Sequence, residues 1–268
     1  MQLRSPDLSA DMGVLSELFA STFGDYAGMH RYAHEGYFDS PPYDTAARKV
    51  GWEGETLVTH FGFWRLELRV GSVPLTVAGV GAVATHRDHR KRGLMAQTAS
   101  VAIDSLIDHG YDVSLLFGID DYYHAYGYAT VFPSYRYELR LAALPEAVPA
   151  GLIRWAPDAA DIPWREMDAL YNRDHADVTV TAVRPTYRRN RMPHRWTPWT
   201  WTNKDGSLHG YCIVELSAAG DELLVVDAAG PPAEICGAVR LPCGRRLCLF
   251  APRHAAPWAG IYEEAIVP

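Results

Sequence analysis

The stretch that most constrains the fold covers residues 75–99, where a strand-like segment leads through a basic turn into a helix-like segment. The apolar positions of the strand-like part are Leu75, Val77, Val80 and Val83, with Ala and Gly between them. This pattern is typical of a buried strand whose backbone a ligand can approach closely. A basic run then precedes Gly93, and apolar residues recur at helical spacing as far as Gly110. The order predicts strand, anion-binding loop and helix, because the amides and dipole of a helix N-terminus attract phosphate groups.

The chain has 268 residues, of which 48% are hydrophobic, and a formal net charge of −7 at pH 7. This length accommodates two modest domains, and the composition predicts a soluble globular protein. No apolar run is long enough to span a bilayer, and charged residues interrupt the N-terminal segment where a signal peptide would be apolar. We therefore expect a cytoplasmic protein with no membrane partner. The negative charge argues against general nucleic-acid binding.

The four cysteines lie in the last quarter of the chain, at Cys212, Cys236, Cys243 and Cys248. Structural zinc sites usually pair their cysteines in short C-x₂-C knuckles, and the spacing here is wider. Cys212 and Cys248 also fall within apolar, strand-like runs. We expect buried reduced thiols and no metal site.

Predicted strands and helices alternate along the first half of the chain. Ser9 is expected to cap a first helix, with Leu15 and Phe19 facing a core and Asp11 facing solvent. Alternating patterns predict strands at residues 49–52, 56–70 and 135–141, an apolar run predicts one at 113–117, and residues 2–4 are expected to form a short first strand. Residues 24–48, rich in Tyr, His, Gly and Pro, are expected to form either a substrate-facing loop or a connector packed through its aromatic rings.

A Pro- and Ala-rich linker at residues 142–151 predicts a domain boundary, which divides the chain into residues 1–145 and 146–268. The second half is expected to hold strands at residues 152–155, 222–227 and 247–250, a helix at 164–172 and a hairpin at 199–216. This order partly repeats that of the first half. No basic or helix-starting residues follow Asp227, so we expect one phosphate site in the chain.

Two motifs carry a family resemblance. The turn Arg90, Lys91, Arg92, Gly93, Leu94, Met95 resembles the Q/R-x-x-G-x-G/A loop of the GNAT superfamily of acyl-CoA N-acyltransferases, with Met95 where Gly or Ala is usual. Downstream, Tyr123, His124, Ala125, Tyr126, Gly127, Tyr128 resembles the Y-x-x-F/L-G-F/Y sequence that follows the fifth strand in this superfamily. Two motifs in the correct order are more specific than either alone. With its degenerate GNAT-like second half, the chain resembles the enhanced intracellular survival family of acetyltransferases.

The resemblance implies an α/β (α+β) fold of tandem GNAT-like domains, each with a mixed, mostly antiparallel twisted sheet flanked by helices. It implies a catalytic domain at residues 1–145, and a degenerate domain at 146–268 that shapes the acceptor pocket or an interface. Acetyl-CoA or a related acyl-CoA would be the co-substrate, and a small-molecule or peptide amine would be the acceptor. That family usually carries a third, sterol-carrier-like domain, and this chain is expected to lack it.

The resemblance also implies roles for single residues. Backbone groups of Val83 and Ala84 would pair with the pantetheine arm of the donor and polarise its thioester carbonyl. The residues expected around the pyrophosphate are Arg90, Lys91, Arg92, Gly93, Leu94 and Met95. Tyr123 would be the general acid, because a phenol with a pKa near about 10 is protonated at neutral pH. In the family a C-terminal carboxylate is the base. Here the base is left open among water, Glu53, Glu55, Asp120, Asp121, His86 and His89.

Two other functions stay open at this point. The chain could bind CoA without catalysis, as a sensor or oligomerisation module, which Met95 and the missing third domain favour. Arginines at 184–195 beside Tyr187, Trp196, Trp199 and Trp201 suit stacking on single-stranded nucleic acid. The acidity of the chain instead favours aromatic rings packed on the first domain or on another subunit, so nucleic acid is not the expected partner and a homo-oligomer is left open.

Overall fold

The computed structural model describes residues 1–23, 45–119, 121–131, 137–139, 148–178, 180–184, 196–216, 222–240 and 246–249. The chain divides into two units, of which the first is residues 1–130 with 179–188 and the second is residues 131–178 with 189–268. This division lies earlier than the boundary expected at residue 145, and sequence analysis did not anticipate the return of residues 179–188 to the first unit. The functional roles of the two domains stay predictions.

The described elements are named in chain order. The strands are β1 Gln2–Arg4, β2 Lys49–Glu53, β3 Thr56–Val70, β4 Val73–Thr85, β5 Val113–Leu115, β6 Tyr137–Leu139, β7 Ile153–Arg154, β8 Thr181–Ala182, β9 Trp196–Thr202, β10 Leu208–Leu216, β11 Glu222–Ala229 and β12 Arg246–Leu249. The helices are α1 Leu8–Phe23, α2 Leu94–Asp108, α3 Trp164–Asp174 and α4 Pro232–Arg240, with short 3₁₀ helices at Arg87–His89 and Tyr123–Tyr126. The predicted strands and helices are therefore confirmed, with small shifts at their ends.

Each unit is built on one sheet, and the two sheets share a topology. The first has the strand order β1-β2-β3-β4-β5, and the second has β6-β12-β11-β10-β9-β7. In both, antiparallel pairs lead to one parallel pair, β4 with β5 and β11 with β12. The series β7-α3-β9-β10-β11-α4-β12 thus repeats β1-α1-β2-β3-β4-α2-β5. The predicted tandem fold of mostly antiparallel sheets flanked by helices is confirmed.

The start of α1 differs from the prediction, because Asp7 and not Ser9 caps it. The Asp7 carboxylate accepts hydrogen bonds from the Ser9 amide at 2.9 Å and the Ser9 hydroxyl at 2.6 Å. Asp11, expected to face solvent, is buried and forms a two-fold ion pair with Arg4 at 2.6 and 2.7 Å. Burial opposes its ionisation, yet the bonds from Arg4 and the Asp7 amide keep the pKa of Asp11 below its ordinary value.

Helix α2 packs on the first sheet and is fixed to it by a buried polar contact. Its residues Met95, Ala99, Ala102 and Leu106 form one hydrophobic cluster with Phe61 and Phe63 of β3. The hydroxyl of Thr98 donates to the Leu94 carbonyl at 3.0 Å and lies 2.7 Å from the hydroxyl of Thr59 in β3. This contact fixes the register of the first turn of α2 against the sheet.

Two elements of the structure were not predicted from the sequence. Helix α4 begins at Pro232, although no helix was expected after Asp227. Proline is favoured at the first position of a helix, because its missing amide proton has no partner there anyway. Strand β8 has only two residues, too few for a period-two pattern, and pairs with Leu68 and Arg69 near the end of β3.

The buried thiols of the second unit agree with the prediction. Cys212 and Cys236 are unbonded and buried, while Cys243 and the side chain of Cys248 lie outside the described part of the chain. No group of three His, Cys, Asp or Glu residues among those described could hold a metal ion. No described helix has the length and apolar character needed to cross a bilayer.

Candidate acyl-CoA site

Strand β4 contains a bulge at the position predicted for the donor thioester. His60 pairs with Ala84 and Gly62 with Gly81, so a single residue of β3 lies opposite both Ala82 and Val83 of β4. A bulge leaves its extra residue outside the regular ladder of hydrogen bonds. Ala82 has a φ of 51°, in the left-handed region that non-glycine residues seldom adopt. The predicted residues Val83 and Ala84 therefore lie at a local break in the strand pairing.

The opposite edge of β4 is open over the same residues. Strand β5 pairs with β4 only at Val77, Ala78 and Gly79. Beyond Gly79, no described strand pairs with that edge of β4, because the chain turns away after Leu115. An open strand edge with free backbone groups is where an extended ligand can add as though it were a strand.

The loop after β4 presents backbone amides and cationic side chains. Helix α2 begins at Leu94 after Gly93, whose φ of 73° suits glycine, and no side chain caps the helix. The first amides of a helix have no partner within the helix, so those of Leu94 and Met95 are available to an anion. The side chains of Arg90 and Lys91 are exposed beside them, with Lys91 also at a positive φ of 60°. The loop thus has the form of a backbone anion nest.

Arg92 differs from its basic neighbours because its side chain forms an ion pair, whereas Arg90 donates only from Nε to the Thr85 carbonyl at 3.2 Å. The Arg92 guanidinium donates to both carboxylate oxygens of Glu53, at 2.8 and 3.0 Å. The same carboxylate lies 2.9 Å from Nδ1 of His89. These bonds, that from Arg92 foremost, lower the pKa of Glu53, so it stays a carboxylate. Glu53 and His89, two of the candidate bases, therefore brace the loop.

Met95, the residue that departs from the motif, points into the protein. Its side chain is only 6% exposed and belongs to the cluster formed by α2 and β3. The Met95 side chain therefore packs in the core and does not lie at the surface of the loop. Only the Met95 amide, at the start of α2, can face an anion.

The tyrosine-rich motif folds as a short 3₁₀ helix after β5. Tyr123 is half-buried, and its ring packs edge-on against Tyr122 and Tyr128, at centroid distances of 5.1 and 6.0 Å. No group among the described residues hydrogen-bonds its hydroxyl. Burial, with a smaller contribution from Tyr122, raises the pKa of Tyr123 above its ordinary value. The phenol therefore holds its proton at neutral pH, as a general acid must.

The other tyrosines of the motif hold it in place. The Tyr128 hydroxyl lies 2.7 Å from the Ser114 hydroxyl, which donates to the Ala78 carbonyl of β4 at 3.0 Å. The Tyr126 hydroxyl donates to that of Tyr122 at 3.1 Å, and its ring packs against the cluster beneath α2. These contacts give Tyr126 and Tyr128 packing roles within the motif.

Three separate segments converge on one buried cluster. Val83 of β4, Met95 of α2 and Tyr123 of the 3₁₀ helix all pack in or against it. The sequence places these residues far apart, and the fold packs all three in or against the same cluster of the first unit. Of the remaining candidate bases, Asp121 lies 3.3 Å from Nδ1 of His124 in an exposed pair, and Asp120 lies outside the described residues.

The equivalent turn of the second unit is built differently. It joins β11 to α4, and the Gly230 amide there donates to the Asp174 carboxylate at 2.6 Å. The turn contains no Lys or Arg, and its helix carries Glu234 in the first turn. A carboxylate of the protein therefore lies where an anion would have to bind, which agrees with a degenerate second domain.

The aromatic residues weighed for nucleic-acid binding are largely buried in the second unit. Trp199 and Trp201 are 5% and 1% exposed, so their faces cannot stack on bases. The indole nitrogen of Trp201 donates to Glu234 at 2.6 Å. The basic residues between 185 and 195, which were weighed beside these rings for nucleic-acid binding, lie outside the described residues. Packing is therefore the role that the described geometry supports.

Comparison with known proteins gives a family match for the first unit and a set of similar folds. Residues 10–131 match the model of the acetyltransferase (GNAT) domain family. A search of curated proteins found no match. Among solved structures, the fold is similar to a probable N-acyltransferase of Enterococcus faecalis V583, with a TM-score of 0.74, 15% identity, and coverage of 92% of this chain and 64% of the other. It is similar to a GCN5-related N-acetyltransferase of Anabaena variabilis, with a TM-score of 0.75, 14% identity and coverage of 100% and 70%.

Eis1 of Mycobacterium abscessus is also similar, with a TM-score of 0.65, 16% identity, and coverage of 93% of this chain and 65% of the other. The chain spans about two thirds of the length of these structures, and at such low identity they establish only the fold. The family match covers residues 10–131, just under half of the chain, and identifies this part of it as a GNAT acetyltransferase domain.

Proposed function

We propose that the first unit transfers an acyl group, most simply acetyl, from a CoA thioester to an amine. The convergence of the β4 bulge, the uncapped start of α2 and Tyr123 on one buried cluster is the observation that carries this proposal. Each of these features matches one part of the donor, namely the thioester, the pyrophosphate and the leaving sulfur. Val83 and Ala84 would align the pantetheine arm, and the loop from Arg90 to Met95 would hold the pyrophosphate.

In the proposed reaction, the neutral amine attacks the thioester carbonyl, a C–N bond forms and the C–S bond breaks. Backbone amides at the β4 bulge would stabilise the negative charge that develops on the carbonyl oxygen. Tyr123 would donate its proton to the departing sulfur, so CoA leaves as a thiol. The proton lost by the amine passes to solvent, and solvent restores the Tyr123 hydroxyl.

The bracing of the loop explains how this site could be ready before the donor arrives. Arg92, paired with Glu53, fixes the loop backbone, while Arg90 and Lys91 leave their charges exposed. Preorganised amides and charges cost less to align on binding than mobile ones. We therefore assign the pyrophosphate contacts to Arg90, Lys91 and the amides of Gly93 to Met95.

The test is thiol release from acetyl-CoA by the purified chain in the presence of single amines. The panel contains polyamines, aminoglycosides and lysine-containing peptides, with an amine-free reaction as the control for hydrolysis. Release that depends on one class of amine, with the acetylated product identified by mass spectrometry, is the expected result. If no amine accelerates release while CoA still raises the melting temperature, the chain is a CoA-binding module.

A further inference from the structure

A buried histidine lies beside the bulge of β4, and none of the roles above uses it. His60 of β3 is fully buried, and its Nδ1 lies 2.7 Å from the carbonyl oxygen of Ala82. A carbonyl oxygen can only accept, so Nδ1 carries the proton of this bond. Burial above all, with a smaller effect of the Arg48 charge, lowers the pKa of His60 to about 3 despite this bond. The ring is therefore neutral at physiological pH.

The residue that accepts this bond has an unfavourable backbone conformation. Ala82 has a φ of 51°, and nothing in an alanine side chain compensates for it. Such a conformation persists only where the surrounding structure imposes it. The His60 hydrogen bond is a direct contact to the Ala82 peptide from the neighbouring strand.

The imidazole ring is fixed in a tight slot. A Cβ added to Gly62 would lie 2.6 Å from Cε1 of His60 and 2.7 Å from the Gly81 carbonyl oxygen. On another side, the Phe19 ring packs edge-on at a centroid distance of 5.0 Å. The ring therefore cannot turn away from Ala82 without a shift of the strands.

Packing alone does not account for a histidine at this place. Its second nitrogen, Nε2, is buried and has no hydrogen-bond partner in the described structure. A leucine of similar volume would avoid the cost of burying this polar atom. What a leucine could not supply is the donor to the Ala82 carbonyl.

We propose that His60 is a positioning residue that holds the β4 bulge in the shape that receives the donor thioester. The inference rests on the proposed function, because the bulge is where Val83 and Ala84 would meet the thioester. Through the Ala82 carbonyl, His60 fixes the peptide that precedes Val83. It touches neither donor nor acceptor, and it acts through the backbone alone.

The kinetic test compares His60→Leu, which removes the donor, with His60→Asn, whose amide can take the place of Nδ1–H. We expect His60→Leu to lower kcat by about tenfold or more, with the Kd for CoA changed less than about threefold, since the pyrophosphate loop is a separate segment. His60→Asn should retain most of the wild-type kcat. Adding Ala82→Gly to His60→Leu should recover part of the loss, because glycine adopts a positive φ without strain.

A matched control separates positioning from general destabilisation. Leu106→Ala opens a cavity at the far end of α2 without touching the bulge. If His60→Leu lowers kcat no more than Leu106→Ala at equal loss of melting temperature, or if neither Asn nor Ala82→Gly restores activity, the proposal is overturned.

A second measurement does not depend on activity. Hydrogen–deuterium exchange of the peptide covering residues 80–85 should become faster in His60→Leu but not in His60→Asn or Leu106→Ala. Unchanged exchange in His60→Leu contradicts the role of His60 even if no acceptor amine is found. Conversely, the wild-type chain could show no turnover while the three variants show this exchange pattern. That result contradicts the proposed function and leaves the contact between His60 and the bulge established.

Discussion

The surroundings of Tyr123 keep its hydroxyl protonated and leave it free to act. Partial burial and the adjacent Tyr122 raise its pKa, and no described residue uses its hydroxyl. The other tyrosines of the motif are tied to partners, as Tyr128 is to Ser114 and Tyr126 is to Tyr122. The tyrosines of this motif thus have two roles. Tyr126 and Tyr128 pack with hydrogen-bonded hydroxyls, whereas the hydroxyl of Tyr123 has no partner among the described residues and is the proposed acid.

Replacing Tyr123 by Phe should lower kcat by about tenfold or more, because a positioned acid contributes at least that factor. The Kd for CoA should stay nearly constant, since the phenol is proposed to act on the departing sulfur and not to hold the pyrophosphate. Steady-state kinetics with a fixed amine, and titration calorimetry with CoA, measure the two quantities. Tyr126→Phe removes a hydroxyl of the same cluster and should leave kcat near wild type. Equal kcat in the wild type and Tyr123→Phe removes Tyr123 from the mechanism.

The Tyr123 ring also depends on a glycine that has no room for a side chain. A Cβ at Gly118 would lie 2.8 Å from Cδ2 of Tyr123 and 2.9 Å from Cδ1 of Leu116. Gly118→Ala should therefore displace the ring and lower kcat by about as much as Tyr123→Phe. Gly13→Ala is the control, since its Cβ meets open space on α1 and should stabilise the helix by about 0.5–1 kcal/mol. Full activity in Gly118→Ala contradicts the assigned ring position.

The buried His60 predicts a loss of stability in acid. Its folded pKa is about 3, whereas an unfolded histidine titrates near 6.5. Below pH 6.5 the unfolded chain binds a proton that the folded chain does not, so stability is complete above 6.5 and declines toward pH 3. From pH 7 to pH 5 this amounts to about 2 kcal/mol in the free energy of unfolding. Urea unfolding at both pH values should show a smaller loss for His60→Asn than for wild type, and equal losses would contradict the neutral buried state.

At the scale of elements, helix α2 is held at its N-terminus by contacts from two other strands. Thr59 of β3 meets Thr98 inside the core, and Glu53 at the end of β2 pairs with Arg92 just before the helix. The buried contact sets the register of the helix, and the exposed pair sets the path of the loop. The anion-binding amides are therefore positioned from both sides before any ligand binds.

The bracing role of Arg92 can be tested by reversing charges. Arg92→Glu should raise the KM for acyl-CoA by about threefold or more, because it repels Glu53 and loosens the loop. The double variant Glu53→Lys with Arg92→Glu restores an opposite-charge pair and should recover most of the loss. Lys91→Glu, at an exposed site, should raise KM without rescue by Glu53→Lys. If the double variant is as impaired as Arg92→Glu, the Arg92 charge acts on the phosphates themselves.

The sequence predicted most elements of the fold because their patterns are local. β3, β4 and α2 are long segments whose apolar residues recur at strand-like or helix-like spacing, so their existence and order could be inferred. Strand β8 and helix α4 are not predicted by the sequence, since two residues show no period and the segment after Asp227 shows no helix-starting pattern apart from its prolines. At the site, the sequence motifs predicted roles for Tyr123 and Gly93, because each residue lies within a short motif that can be recognised without knowing its neighbours in space. The roles of His60, Glu53 and Asp174 depend on partners distant in sequence, so the sequence carried no signal for them.

At the scale of the molecule, two units of one topology differ at one turn. In the first, the turn from β4 to α2 offers free amides and exposed cations to an anion. In the second, the turn from β11 to α4 is satisfied internally by Asp174 and has no cations. The two units thus share a sheet topology, while their turns differ in the side chains and amides that they present. We therefore expect the side chains at the turn, and not the topology, to decide which unit binds phosphate.

This difference predicts about one CoA bound per chain, because only the first turn combines an uncapped helix start with cations. Titration calorimetry on the full chain measures the stoichiometry. Gly93→Asp places a carboxylate at the start of α2, as Asp174 does for the second turn, and should abolish CoA binding while the fold persists. Asp174→Ala frees the Gly230 amide but adds no cation, so the stoichiometry should not rise. Residual binding of one CoA in Gly93→Asp, or of a second CoA in Asp174→Ala, would mean that the second unit binds CoA as well.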